Sequence, residues 1–244
     1  MESRPLGNGI PAVSFLSSAA FQPQHPPEDN LLPFVTMVAF DVETTGLDPD
    51  KEELIEIAGI KFTFEKKDGK LATREIAQYS SLVKPGKLIP EDATRVNNIT
   101  NQMVENAPEL KPVLTGFLRF CGLSSILVAH NASFDAAFLG KAFRKQGLVM
   151  PQLPIIDSLK FIRKIMPEYA SHKLSEIARK LGDQTGMTMN KGELHRATYD
   201  CQILKEVMCA CLRKRYQDKD LAMDQAVKSF ESVHGAPLSF VQFA

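Results

Sequence analysis

The feature that most constrains this chain is an apolar run that ends in two carboxylates. Phe34 to Phe40 is almost continuously apolar and partly β-branched, and Asp41-Val42-Glu43 continues it without a break. A run of that kind predicts a strand buried on both faces rather than a half-exposed one. Side chains alternate along a strand, so Asp41 and Glu43 point the same way. Burying two neighbouring like charges costs several kcal/mol unless something positive compensates. Thr44-Thr45-Gly46-Leu47-Asp48-Pro49 then makes a turn.

Two further carboxylates fall where an apolar side chain belongs. Asp135 is followed by Phe138, Leu139 and Ala142, at i+3, i+4 and i+7, so it starts the core stripe of a helix. Asp200 repeats the pattern with Ile203, Leu204 and Val207. Taken singly, each is read more plainly as a carboxylate favoured by a helix N-terminus. That account does not cover Asp41 and Glu43. Four acids aimed at one core jointly favour a bound divalent cation, and hard oxygen donors favour magnesium or manganese over zinc. The residues alone give a metal site and no substrate.

The rest of the chain places these acids in an α/β domain. Residues 1–33 hold six of the fifteen prolines and read as an irregular leader. Leu54 to Phe64 and Tyr79 to Val83 read as a second and third strand, with a turn at Lys66 to Gly69. Short links between three strands suggest an antiparallel start to a sheet. Helical spacing follows at 100–106, 110–120, 133–146, 158–165, 174–181 and 197–215, with one more short strand at 125–129. Strands first, then helices and strands mixed, predict a mixed β-sheet flanked by helices over 34–216. Residues 217–244 read as a C-terminal tail.

Composition excludes some classes and warns against one. No apolar run nears the roughly 20 residues that span a bilayer, so no membrane role is expected. The start Met-Glu-Ser-Arg-Pro does not resemble a secretory signal. Cys121, Cys201, Cys209 and Cys211 have poor spacing for zinc or a disulfide framework and read as reduced thiols in a cytoplasmic protein. Lysine plus arginine (29) balances aspartate plus glutamate (29), which argues mildly against a nucleic-acid binder. Lys141, Arg144, Lys145, Lys173 and Arg196 are the candidates to gather at a groove.

Three extended motifs now carry a resemblance. Phe40-Asp41-Val42-Glu43-Thr44-Thr45-Gly46-Leu47, Val128-Ala129-His130-Asn131-Ala132-Ser133-Phe134-Asp135 and His195-Arg196-Ala197-Thr198-Tyr199-Asp200 resemble the ordered motifs of the DEDDh exonucleases. Within that superfamily the chain is most similar to the DnaQ-like proofreading domains of bacterial DNA polymerase III. Asp157-Ser158-Leu159 and Ser171-His172-Lys173-Leu174 also look like intermotif segments of that group. The resemblance implies a ribonuclease-H-like fold and 3′→5′ hydrolysis of DNA. It implies two divalent cations, Mg2+ or Mn2+, held by Asp41, Glu43, Asp135 and Asp200, with His195 as general base. It further implies contacts of Thr44, Thr45 and Gly46 with the terminal nucleotide, and of Asn131 and Phe134 with a single-stranded 3′ end. Editing would require a polymerase subunit as partner.

Several smaller expectations accompany it. His130 and His172 read as structural, and Asp157 as a helix cap rather than a ligand. Asn98 stands where the family often has glycine, and asparagine tolerates the left-handed backbone such a turn needs. An RNA exonuclease of the same superfamily uses the same motifs and stays open. A non-catalytic binding module on this fold is disfavoured, because all five catalytic positions are present.

Overall fold

The computed structural model describes residues 36–149, 153–185 and 196–216. The leader, the tail and His195 lie outside the described residues. In chain order the elements are β1 (Met37–Thr44), β2 (Leu54–Lys67), β3 (Lys70–Leu82), α1 (Glu91–Asn97), α2 (Asn101–Val104), α3 (Leu110–Cys121), β4 (Ile126–Ala129), α4 (Ala132–Lys145), β5 (Ile155–Asp157), α5 (Ser158–Ile165), α6 (Leu174–Thr185) and α7 (Ala197–Tyr216).

The sheet order is β3-β2-β1-β4-β5. β1 pairs antiparallel with β2, and β2 with β3, whereas β4 runs parallel to β1 and β5 parallel to β4. This is the mixed sheet expected from the sequence. β1 is central, so both of its faces must be covered, which is why its sequence is apolar at every position up to Asp41. Met37 and Ala39 face a core shared with α5, α6 and α7. Val38, Phe40 and Val42 face a second core made with α3 and α4.

That alternation fixes where the acids go. Asp41 and Glu43 continue the row of Met37 and Ala39, on the side where α7 packs. The parallel strands β1, β4 and β5 end at the same edge, and α4 and α5 start there. Open α/β sheets gather ligands at such carboxyl ends.

The structure also revises four element boundaries. β3 begins at Lys70, not Tyr79. Its first half is polar because it is an edge strand, held on one side by β2 and by side chains of α7: Thr73 Oγ1 donates to Glu206 at 3.0 Å, and Lys205 pairs with Glu75 at 3.2 Å. The hairpin turn is Asp68-Gly69, both at positive φ (52° and 75°), which matches the twist of the strands it joins. Ile155 to Asp157 add a short strand ahead of the helix expected at 158. α6 runs through Gly182, and α1 precedes the expected helix at 100.

Candidate metal centre and groove

Asp41, Glu43 and Asp200 bring carboxylate oxygens within 4.8 Å of one another. β1 supplies the first two and the first turn of α7 the third. The cause is the burial of Ile203, Leu204 and Val207, which seats α7 on the sheet and turns Asp200 toward β1. Asp135 stands outside this group of three. It is 2% exposed on α4, and its Oδ1 accepts, at 3.2 Å, the amide of Val42, the residue between the two acids of β1.

The electrostatics of the cluster are costly without a cation. Burial raises the Asp41 carboxyl well above the usual range, and the charges of Asp135, Glu43, Asp200 and Glu56 raise it further. Burial likewise raises Glu43 to about 9, reinforced by Asp200, Glu56 and Asp135 and opposed by Arg196. Asp135 is raised to about 8, chiefly by burial and against backbone hydrogen bonds that favour its charge. A bound divalent ion reverses this balance. An all-oxygen donor set fits magnesium or manganese chemistry.

The cluster opens onto a groove of about 850 Å³, lined by Asp41, Asp200, His130, Asn131, Arg163 and Lys173 among others. Asn131 sits at the head of α4 with a left-handed backbone (φ 67°). Phe134, by contrast, packs its ring on Phe138, centroids 4.9 Å apart, and is absent from the groove lining.

The turn after β1 is tied to itself. Thr44 Oγ1 donates to the Gly46 carbonyl at 2.6 Å. Thr45 Oγ1 donates to Glu52 at 2.5 Å and accepts the Glu53 amide at 3.0 Å. A Cβ on Gly46 would stand 2.9 Å from Glu52 Cγ. These hydroxyls serve the turn.

Two histidines of the groove lining are tied to the protein by hydrogen bonds. His172 offers a carbonyl to His130 Nε2 at 2.9 Å, so that nitrogen carries the proton, and Nδ1 accepts from Ser158 Oγ at 2.9 Å. Burial lowers the His130 pKa, which fits this neutral form. His172 Nε2 donates to the Met166 carbonyl at 3.0 Å. Asp157 caps α5, accepting the amides of Leu159 and Lys160.

The proposed basic rim is redistributed. Lys141 pairs with Asp50 and Lys145 with Glu53. Arg196 is held by Glu56 through both of its prongs. Of the five candidates, Lys173 lines the groove, and Arg163 joins it from α5. Sequence reading missed two residues that support the site. Glu56, 1% exposed, is an acid inside the apolar run of β2, the same signal that marked Asp41. Asn97, 2% exposed, donates to the Thr44 carbonyl at 3.3 Å, and periodicity gave no sign of it.

The exonuclease family model of the RNase T type matches residues 38–208, the span that carries β1, the groove and α7. The chain belongs to this exonuclease family. The match fits the DnaQ-like resemblance that the three motifs carry. The domain is 35% identical over 202 residues to the PolC-type DNA polymerase III of Staphylococcus haemolyticus, covering 83% of this chain and 12% of that protein. The Staphylococcus aureus counterpart is 34% identical with the same coverage. The chain thus spans only 12% of the length of these relatives.

Solved structures share the exonuclease fold. Exonuclease X in complex with 5′-overhanging duplex DNA matches with a TM-score of 0.54 and 24% identity, over 80% of this chain and 99% of that one. Escherichia coli Exonuclease I in complex with a dA16 oligonucleotide matches at 0.60 and 14%, over 75% and 42%. A 3′-exonuclease that recognises the 3′ end of histone mRNA stem-loop matches at 0.58 and 17%, over 73% and 81%. These likenesses establish the ribonuclease-H-like architecture.

Proposed function

We propose that residues 34–216 trim DNA from its single-stranded 3′ end, one nucleotide at a time, to edit ends made by a DNA polymerase subunit. The observation that carries this reading is the convergence of Asp41, Glu43 and Asp200 within 4.8 Å at the mouth of a groove. The four carboxylates Asp41, Glu43, Asp135 and Asp200 hold two Mg2+ or Mn2+ ions. When bound, such ions stabilise both the attacking and the leaving oxygen of a phosphodiester.

The chain's own residues do the remaining work. His195 takes the proton from the attacking water, a role suited to a neutral imidazole near pH 7. Arg163 and Lys173 meet backbone phosphates along the groove, and Asn131 orients the strand at its mouth. Backbone groups of Thr44, Thr45 and Gly46 meet the terminal nucleotide, and Phe134 supports the wall behind it. DNA is favoured over RNA because the 34–35% identical relatives are DNA polymerases. The four cysteines are buried and unbridged, which suits a cytoplasmic setting. Among the described residues, no helix is long and apolar enough to cross a membrane.

Digestion of end-labelled single-stranded DNA and RNA with Mg2+, Mn2+ or EDTA tests the reading. The expected outcome is a 3′-end ladder with metal, faster on DNA, and none in EDTA. Asp41→Ala abolishes the ladder, and His195→Ala slows it by about 10²–10⁴-fold, the usual contribution of a general base. Trimming of neither substrate with metal present overturns the proposal, as does an undiminished rate in both variants. Faster trimming of RNA would instead assign the domain to RNA ends, a substrate the same fold serves in the histone mRNA exonuclease.

A further inference from the structure

Glu56 has no part in the metal cluster, yet it lies beside it. β1 and β2 pair Glu43 directly with Glu56, so the two acids stand across neighbouring strands on one face. Like charges in that position repel. Glu56 is nevertheless buried, and its carboxylate is fully engaged elsewhere. Arg196 Nη2 donates to Oε1 at 2.9 Å and Arg196 Nε to Oε2 at 3.2 Å. The Ala197 amide donates to Oε2 at 3.2 Å as well.

The three hydrogen bonds converge on the start of α7. Ala197 is its first residue, and the Arg196 carbonyl accepts the amides of Tyr199 and Asp200 at 2.9 and 3.0 Å. The position of Asp200 is therefore set, through one helical turn, by a residue of β2, far from it in the chain. The planar two-pronged contact fixes orientation as well as distance, which a single ammonium would not do. Arg196 also opposes, at Glu43, the repulsion that Glu56 adds.

We propose that the Glu56–Arg196 pair is a clamp that positions Asp200 against Asp41 and Glu43, and so sets metal affinity and turnover rather than binding of the nucleic acid. The inference rests on the proposed exonuclease chemistry for its turnover readout and on the carboxylate cluster alone for its metal readout. Groups that orient metal ligands from behind change metal affinity or activity by about 10–100-fold when replaced.

The test uses the full chain with three variants: Glu56→Gln, Arg196→Gln and the double variant. Mn2+ binding is followed by calorimetry, trimming of single-stranded DNA by kcat and KM, and folding by thermal melting. Each single variant is expected to weaken Mn2+ binding and lower kcat by about 10–100-fold with KM little changed. The double variant, in which two amides can pair, is expected to be no worse than the poorer single variant. Should Glu56→Gln not fold, Arg196→Lys keeps the charge, breaks only the two-pronged contact, and carries the same expectation. Wild-type metal affinity and kcat in the singles, a lowered melting temperature with kcat intact, or strictly additive losses would each overturn the clamp. An inactive wild-type chain would overturn the exonuclease reading instead, and the Mn2+ titration would still decide the clamp.

Discussion

Asp41, Glu43 and Asp135 are held above their ordinary pKa values by burial, and this makes stability depend on pH in a definite direction. An acid with a raised folded pKa binds protons in the folded state that the unfolded chain has already lost. Its folded form is then favoured at low pH and loses ground as pH rises from the unfolded toward the folded value. For Glu43 that window runs from 4.5 to about 9, and for Asp135 from 3.8 to about 8. In EDTA the melting temperature should therefore fall as pH rises through this interval. Saturating Mg2+ should remove the slope, since bound carboxylates must be ionised, and its binding at pH 7 should release protons. A hundredfold excess of metal over Kd contributes about 2.7 kcal/mol, or very roughly 5–11 °C for a domain this size. Melting curves across pH with and without metal check the first part. Titrations in two buffers of different ionisation enthalpy check the second. A flat profile in EDTA would show that the acids are not crowded as described.

At the scale of elements, the site is held by helix ends. Asp157 accepts two amides at the start of α5, so Asp157→Ala should cost about 0.5–2 kcal/mol by urea unfolding. Asn98 closes α1 at φ 59° and ψ 18°, the left-handed conformation anticipated from its place in the sequence. Asn98→Gly should leave stability near wild type, while Asn98→Val should lose about 1–2 kcal/mol. Equal stability of the two variants would remove the backbone argument. These caps also show what the sequence can carry. β1 was legible as a continuous apolar run and α3, α4 and α7 by their helical period, and the acids were legible because they interrupt these patterns. Glu56 interrupts the run of β2 in the same way and could have been found by that signal. The first half of β3 could not, because an edge strand has no apolar alternation to read. Nor could Asn97, whose buried hydrogen bond to Thr44 depends on a contact between residues 53 apart. The pairing of Glu56 with Arg196, 140 residues away, is tertiary in the same sense.

For the whole molecule, zero net charge is the fact that sits least easily with a nucleic-acid substrate. The structure resolves it by location. Lys141, Lys145 and Arg196 are spent on Asp50, Glu53 and Glu56, so their charge does not add to the groove. Arg163 and Lys173 line the groove beside the carboxylates. Binding by two phosphate contacts makes a specific demand on salt dependence. Each phosphate neutralised on a single strand contributes a slope of about −0.7 in log K against log salt, so two give about −1.4. The measurement needs an uncut substrate, which Asp200→Ala provides with Ca2+ in place of Mg2+. Anisotropy of a labelled oligonucleotide across salt concentrations then gives the slope. Lys173→Ala should lower it by about 0.7 and weaken all sequences alike, because phosphate contacts carry no base information. Lys141→Ala should change neither, since its charge is already matched by Asp50. A slope near −1.4 that drops with Lys173 but not Lys141 places the strand in this groove. A slope several units steeper, insensitive to Lys173, would place it on another surface and break the link between the groove and the metal centre.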